Sequence, residues 1–341
     1  SADDGCPDVP GAENILLLMK TGATELFTRV PTSLLTFIRC VPNFMIFSDL
    51  AQDVGSYSVY DALYNVSQSY KDSHEDFTFY HELQQIYRAQ GDVTKLMEGS
   101  MYKEKGWNLD KWKNIPMMHA AYEDFVWRQQ KDIRWFVTID ADTYLSITNL
   151  ARVLATLDHR QPHYIGTIYF HGETAFAQGG TGYIVSRRAV EMLEDIWSDA
   201  YVSKWEEETA RTCCGDVMMS IALQDAGVNV TSGWPLLQPS APKDTDWGDW
   251  SWCEPSLTWH HIRPFEVEAL YEFERVWMHS SAESIYLYRD LFDVFVWPQI
   301  TARKEDWDNG SHDRTFRKPP SEENCLAQCE RDEGCFQWVW K

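Results

Sequence analysis

The clearest hydrophobic pattern in the chain is an apolar run that ends on two carboxylates, Arg134-Trp-Phe-Val-Thr-Ile-Asp-Ala-Asp-Thr-Tyr-Leu. From Trp135 to Ile139 every side chain is apolar or β-branched, and charges bound the run. That is the pattern of a strand buried on both faces. Similar runs are Asn14-Ile-Leu-Leu-Leu-Met, closing in Lys20-Thr-Gly, and Asn43-Phe-Met-Ile-Phe-Ser, closing at Ser48-Asp49. Two more follow at Tyr164-Ile-Gly-Thr-Ile-Tyr-Phe and at Gly179-Gly-Thr-Gly-Tyr-Ile-Val-Ser, where a glycine turn runs into the strand. Helical periodicity predicts helices over 25–39 (with Pro31 an interruption), 77–89, 112–130, 146–157, 187–197 and 216–225, the last closed by Gly227. The stretch 49–75 is polar and tyrosine-rich with no element assigned, and the Trp-, Pro- and Asp-rich stretch 233–259 reads as loop. Strands alternating with helices predict an α/β fold, a mostly parallel sheet with helices on both faces. Open sheets of that kind bind ligands beyond the carboxyl ends of their strands, which is where Asp140 and Asp142 fall.

Composition narrows the function. A chain of 341 residues holds one large domain and a small appendage. Lys plus Arg number 30 against 52 for Asp plus Glu, a net charge of −22 that repels phosphate backbones and argues against a nucleic-acid partner. A nucleotide ligand stays open, because a bound cation can neutralise a diphosphate locally. No apolar run is long enough to span a membrane. The acidic start Ser1-Ala-Asp-Asp is no signal peptide, so the expectation is a mature or trimmed chain whose N-terminal anchor was removed. Eight cysteines without a Cys-x-x-Cys pair exclude the usual zinc spacings. Together with sequons at Asn65, Asn229 and Asn309 they favour the secretory pathway, either the Golgi lumen or secretion. Cys6 and Cys40, preceding the first two strands, are expected to pair. Cys253 is expected to bond Cys213 or Cys214, and the other member of that pair one of the three C-terminal cysteines.

Four segments resemble glycosyltransferase family 31, the fringe and core-1 β-1,3-galactosyltransferase group, and they occur in the family's order. Thr138-Ile-Asp-Ala-Asp-Thr-Tyr-Leu resembles its metal motif, and Gly179-Gly-Thr-Gly-Tyr its glycine segment. Cys214-Gly-Asp-Val-Met-Met-Ser is similar to the segment holding the proposed base, and Trp259-His260 stands where the family has Phe-His. Thr21-Gly22 and Arg39-Cys40 add to the likeness, which covers roughly 12–280.

The resemblance implies a GT-A catalytic domain over 12–300 that transfers a sugar with inversion from a UDP-sugar to a glycan or glycoprotein acceptor. Galactose is the expected donor sugar, because the likeness to the core-1 enzyme is the closer one. Departures from the family are Ala141 for the middle aspartate, Gly215 for the acidic residue before the presumed base, and Ser220 near a usual glycine. Gly215 and Ala141, with the C-terminal segment Cys325-Leu-Ala-Gln-Cys that is similar to the start of a PAN/apple module, motivate an alternative, a carbohydrate-binding or interaction protein that kept the fold and lost turnover.

Physical roles follow from sugar transfer. A hard divalent cation offsets charge on the departing diphosphate, and oxygen ligands plus an imidazole suit Mn²⁺, with Mg²⁺ the second choice. Asp142 and His260 are the expected protein ligands, with His261 the rival. Asp216 is the expected base. Thr21, Asp49, Asp140, Ala141, Gly179 and Gly180 are the expected contacts to the nucleotide-sugar, and Lys20 is a further candidate. Trp234, Trp247, Trp250 and Trp252 precede the histidines in a loop where stacking on an acceptor is plausible. Beyond residue 302 a polar linker leads to Cys325-Leu-Ala-Gln-Cys-Glu-Arg-Asp-Glu-Gly-Cys, which resembles the start of a PAN/apple module within the extension 301–341.

Overall fold

The computed structural model describes residues 6–98, 100–280 and 285–301, and beyond them 303, 305, 314–315, 321–335 and 337–340. The sequon at Asn309 lies outside the described residues. The strands are β1 (Ile15–Lys20), β2 (Phe44–Ser48), β3 (Gln52–Val54), β4 (Tyr57–Asp61), β5 (Trp135–Asp140), β6 (Tyr144–Leu145), β7 (Tyr164–Gly166), β8 (Ile168–His171), β9 (Thr174–Ala177), β10 (Tyr183–Ser186), β11 (Val230–Ser232), β12 (Leu237–Gln238) and β13 (Thr258–Trp259). Eight of them form the main sheet in the order β11-β7-β10-β5-β1-β2-β4-β3. The pairs β1–β2, β1–β5, β2–β4 and β7–β11 are parallel, whereas β10 runs antiparallel to both neighbours and β3 to β4. The architecture is the α/β one expected for a GT-A domain.

Helix α1 (Leu26–Leu35) follows β1; α2 (Gln68–Ser73), α3 (Phe77–Arg88), α4 (Ser100–Asp110) and α5 (Asn114–Ala121) fill the connection from β4 to β5; α6 (Ile147–Leu154) follows β6. Helices α7 (Arg187–Asp195), α8 (Asp199–Arg211) and α9 (Gly215–Asp225) join β10 to β11, and α10 (Asp249–Trp252), α11 (Pro264–Ser280) and α12 (Tyr288–Leu291) come after β12. With helices on both faces, all six residues of β1 are buried, which is why its sequence is an unbroken apolar run rather than an alternating one.

Several local expectations change. Pro31 lies inside α1, and the helix ends instead at Thr36, whose φ and ψ of −112° and −112° leave the helical region. The stretch 49–75, to which the pattern assigns no element, holds β3 and β4, which extend the sheet, with Val59 the one deeply buried residue of β4. One buried side chain in five gives no alternation to detect. The run at 164–170 is two strands in different sheets, because β8 turns away to form a hairpin with β9. The helix expected over 112–130 is α5 followed by a π-helical turn over Tyr122–Arg128.

Contacts divide the chain into two compact units, Ser1–Asp293 and Val294–Lys341. In the second, α13 (Glu322–Glu330) is capped by the Ser321 hydroxyl, and Cys329 is bonded to Cys335. Cys6–Cys40 forms as expected. The expected bond from Cys253 does not: Cys213 and Cys214 are bonded to each other, and Cys253 is free and exposed. Counting cysteines assumed that each seeks a distant partner. An adjacent pair that closes on itself removes that need and leaves Cys325 free as well.

Candidate functional site

Three segments meet at the carboxyl edge of the main sheet. Lys20, Asp140 and Phe47 lie side by side in register at the ends of β1, β5 and β2. Past β5 the chain turns into β6, which pairs antiparallel with β13, Tyr144 opposite Trp259. That register sets His260 beside Asp142, and the Ile262 N–H donates to the Asp142 carbonyl at 2.9 Å. The third segment is the turn before β10, held by Thr143 Oγ1 donating to Gly180 O (2.7 Å) and Thr258 Oγ1 donating to Thr181 O (2.6 Å).

At this junction His260 Nε2 lies 3.4 Å from one carboxylate oxygen of Asp142 and His261 Nδ1 lies 3.8 Å from the other. One donor atom from each of the three residues falls within 4.8 Å of the others, and among the described residues no other such cluster occurs. His260 is buried, whereas His261 is mostly exposed and held at a positive φ of 59°. The two imidazoles stack at 3.8 Å. Burial opposes ionisation of Asp142, but His260 and the charges around it outweigh that and hold its pKa below the ordinary carboxylate range. Partial burial and the neighbouring His260 lower the His261 pKa, which favours the neutral imidazole that a metal requires. One carboxylate and two imidazoles form an oxygen and nitrogen donor set suited to a first-row divalent ion. The geometry sets His261 close enough to stand with His260 as a donor, where the sequence set the two as rivals.

Asp216 sits in the first turn of α9, at the end of the helix where backbone N–H groups favour a carboxylate. Its Oδ2 accepts a hydrogen bond from the Gly179 N–H (3.0 Å). Gly180, the next residue, packs against His260. Successive glycines thus touch the candidate base and the candidate metal ligand. Gly215 also has a packing reason: a Cβ there would lie 3.0 Å from Asn114 Nδ2 and 3.0 Å from Lys111 O. A side chain at 215 would press on Lys111 and the start of α5, which would have to give by a few tenths of an ångström.

The remaining expected residues surround the same edge. Asp140 Oδ1 is buried without a hydrogen bond and lies 3.4 Å from the Lys20 ammonium. Burial, then the neighbouring carboxylates Asp110 and Asp142, raise its pKa despite Lys20. Ala141 is buried and donates its N–H to Lys20 O at 2.9 Å. Asp49 accepts from the Ala23 N–H at 2.7 Å, which fixes the turn after β1. Sequence reasoning missed Lys113 and Asp110, which pair with each other and with Asp49 and Lys20. Their only sequence signal is an i,i+3 pair of opposite charge in a segment whose neighbour Trp112 is wholly buried.

The tryptophan group divides in two. Trp247 packs on Trp259, Tyr288 and Phe292 and donates Nε1–H to Pro242 O, so it supports the fold. Trp252 packs on Phe292. Trp234 and Trp250 stack on each other at 4.9 Å and are partly exposed.

Residues 92–233 match the Fringe-like family model, a span that contains Asp140, Asp142, Gly179, Gly180 and Asp216. Over residues 92–233 the chain is similar to a Fringe-like domain. This bears out the resemblance to glycosyltransferase family 31. A human (Homo sapiens) protein named Beta-1,3-glucosyltransferase is 28% identical over 129 residues, 37% of this chain and 24% of that protein. A Xenopus laevis protein named Glycoprotein-N-acetylgalactosamine 3-beta-galactosyltransferase 1 is 24% identical over 200 residues, 52% of this chain and 53% of that protein. The matches thus span about a quarter and about half of those relatives. The crystal structure of core-mannan synthase A from Aspergillus fumigatus, in its Mn/GDP form, matches at a TM-score of 0.37 with 9% identity, over 66% of this chain and 76% of that one.

Proposed function

We propose that the protein is a metal-dependent, inverting β-1,3-glycosyltransferase that moves a sugar, galactose in the first instance, from a UDP-sugar to a glycan or glycoprotein acceptor. The observation that carries this reading is the meeting of Asp142, His260 and His261 with the turn that also holds Asp216. A divalent cation, Mn²⁺ or Mg²⁺, would be held by Asp142 with His260 and His261 and would supply charge stabilisation for a departing diphosphate. The Asp140 carboxylate, whose Oδ1 is buried beside Lys20, is suited to accept a hydrogen bond from a ribose or sugar hydroxyl at its other oxygen. Thr21, Asp49 and Ala141 line the adjoining strand ends. Gly179 and Gly180, buried in the turn, bring the backbone against Asp216 and His260 at the edge where the sugar would sit. Asp216 receives the acceptor hydroxyl proton as that oxygen attacks the anomeric carbon, and its bond to Gly179 fixes the carboxylate during the transfer.

Trp234 and Trp250 offer the acceptor a flat apolar face just past the end of β11. The rival reading, a carbohydrate-binding protein without turnover, drew on Gly215, Ala141 and the apple-like tail, and for Gly215 the close packing offers a structural reason. Three disulfides and exposed sequons at Asn65 and Asn229 support residence in the secretory pathway. No helix among the described residues is long and apolar enough to cross a membrane.

The test is UDP release from a panel of UDP-sugars with Mn²⁺, with and without a chelator. Turnover of UDP-galactose that disappears on chelation supports the assignment. No turnover of any UDP-sugar, or turnover indifferent to the chelator, overturns it.

A further inference from the structure

Lys113 is 1% exposed, in the turn between α4 and α5. Its ammonium donates to the Thr21 carbonyl at 2.9 Å and lies 3.2 Å from Asp49 Oδ2 and 3.2 Å from Asp110 Oδ1. Asp110 in turn holds Lys20 at 2.5 Å, and Lys20 reaches Asp140 at 3.4 Å. The result is a line of alternating charge, Asp49–Lys113–Asp110–Lys20–Asp140, across the ends of β2, β1 and β5. Each neighbouring pair of carboxylates in this line is bridged by a lysine, Asp49 and Asp110 by Lys113, and Asp110 and Asp140 by Lys20. Burial works against both ammonium groups, yet the flanking carboxylates outweigh it and raise the pKa of each. Apolar residues of similar size usually stabilise a core as well as buried ion pairs do. A network of this kind at one edge of the sheet therefore calls for a role beyond stability.

We propose that Lys113, with Asp110, is a positioning residue of the donor edge: it clamps the turns after β1 and β2 to the end of α4, so that Thr21, Asp49 and, through Lys20, Asp140 are held in one arrangement for the nucleotide-sugar. The clamp rests on the reading that a UDP-sugar binds at this edge. Lys113 itself has its hydrogen-bonding capacity filled by protein and touches no substrate.

The experiment compares the full chain with Lys113→Met, Lys113→Arg and Asp110→Asn. It measures UDP binding with Mn²⁺ by calorimetry, kcat and KM for the UDP-sugar, and amide hydrogen exchange over residues 20–25 and 47–50. Lys113→Met should weaken UDP binding by about 10- to 100-fold, the range seen when an outer-shell partner of a metal ligand is lost. KM should rise by a similar factor while kcat at saturating donor changes less, and exchange in both turns should accelerate. Lys113→Arg keeps the charge and should recover part of the affinity. A merely structural role would lower the melting temperature of Lys113→Met and leave UDP affinity and KM where they were. A folded Lys113→Met with unaltered exchange in both turns, or with unaltered UDP affinity, overturns the clamp. Should Lys113→Met fail to fold, Asp110→Asn makes the same comparison, because the Asp110 side chain is 28% exposed and the change is isosteric. If the native protein binds no UDP, the proposed function falls, and the exchange measurement alone decides the clamp.

Discussion

The His260 imidazole packs so closely on Gly180 that a Cβ at that glycine would lie 2.1 Å from Cε1 and 2.3 Å from Nε2. A contact that short admits no side chain, so the glycine is required by the histidine rather than by its own backbone angles. The adjacent N–H of Gly179 donates to Asp216. One turn therefore sets the spacing between the group placed to bind a cation and the group placed to accept a proton.

Gly180→Ala should displace His260 while leaving the protein folded, because the turn itself stays tied to Thr143. Mn²⁺-dependent UDP binding should fall by about 10-fold or more, with little change in melting temperature. Asp142→Ala should abolish that binding altogether. Calorimetric titration of both variants checks this, and native affinity in Gly180→Ala would remove His260 from the ligand set.

Asp216→Asn preserves shape and can still accept the Gly179 hydrogen bond, but it is a far weaker base. General-base catalysis contributes about 10²- to 10⁴-fold. Transfer should fall by a factor in that range while donor KM stays within a few-fold of native, the signature of an interaction made only in the transition state. An Asp216→Asn enzyme that keeps most of its kcat would place the base elsewhere, with Asp244, Asp246 and Asp249 next in line.

Strand ends were the legible part of this protein. Lys20, Asp49, Asp140 and Asp142 each follow an unbroken apolar run, and such runs occur only where a strand is covered on both faces. His260 was found through its resemblance alone; its position depends on the pairing of β6 with β13, two strands of two residues each, too short to leave a periodic trace. Lys113 was illegible for a different reason. A buried lysine looks like a surface lysine until the carboxylates around it are known; Asp110 is three residues away, but Asp49, just past β2, is distant in sequence. The strands β3 and β4 were missed because they lie at the sheet margin and bury few side chains.

Glu274, buried on α11, accepts from Tyr144 Oη at 2.7 Å and Ser146 Oγ at 2.8 Å, the residues that flank the start of β6 and α6. Removing it strands two buried hydroxyls, each costing about 1–3 kcal/mol. Glu274→Ala should therefore destabilise the protein by about 2–5 kcal/mol, and Glu274→Gln by less, since an amide oxygen still accepts. Burial raises the Glu274 pKa despite these donors, so the folded state favours its protonated form more than the unfolded state does. Denaturant unfolding of the two variants near neutral pH distinguishes them, and equal losses would mean that the hydroxyl contacts contribute nothing.

Glu266 ties the tryptophan-rich loop to the segment that carries the histidines. It accepts from the Arg263 N–H at 2.9 Å and from Arg263 Nε at 3.1 Å, and Lys243 Nζ lies 3.2 Å away. Partial burial opposes ionisation, but Arg263 and Lys243 outweigh it and lower the pKa to about 2. An unfolded glutamate titrates near about 4.3. A folded pKa below the unfolded one means that this stability is fully present above about pH 4.3 and is lost as pH falls towards about 2. A difference of about two units sets an upper bound near 3 kcal/mol. Screening reduces it, since the Arg263 side chain is 54% exposed, leaving on the order of 1–2 kcal/mol. Glu266→Gln should be less stable than the native protein by that amount at pH 7, and the two should converge as pH drops from about 4 to about 2. Urea unfolding at a series of pH values measures the gap. A gap that stays constant through this window would mean that the Arg263 and Lys243 contacts do not depend on the charge of Glu266.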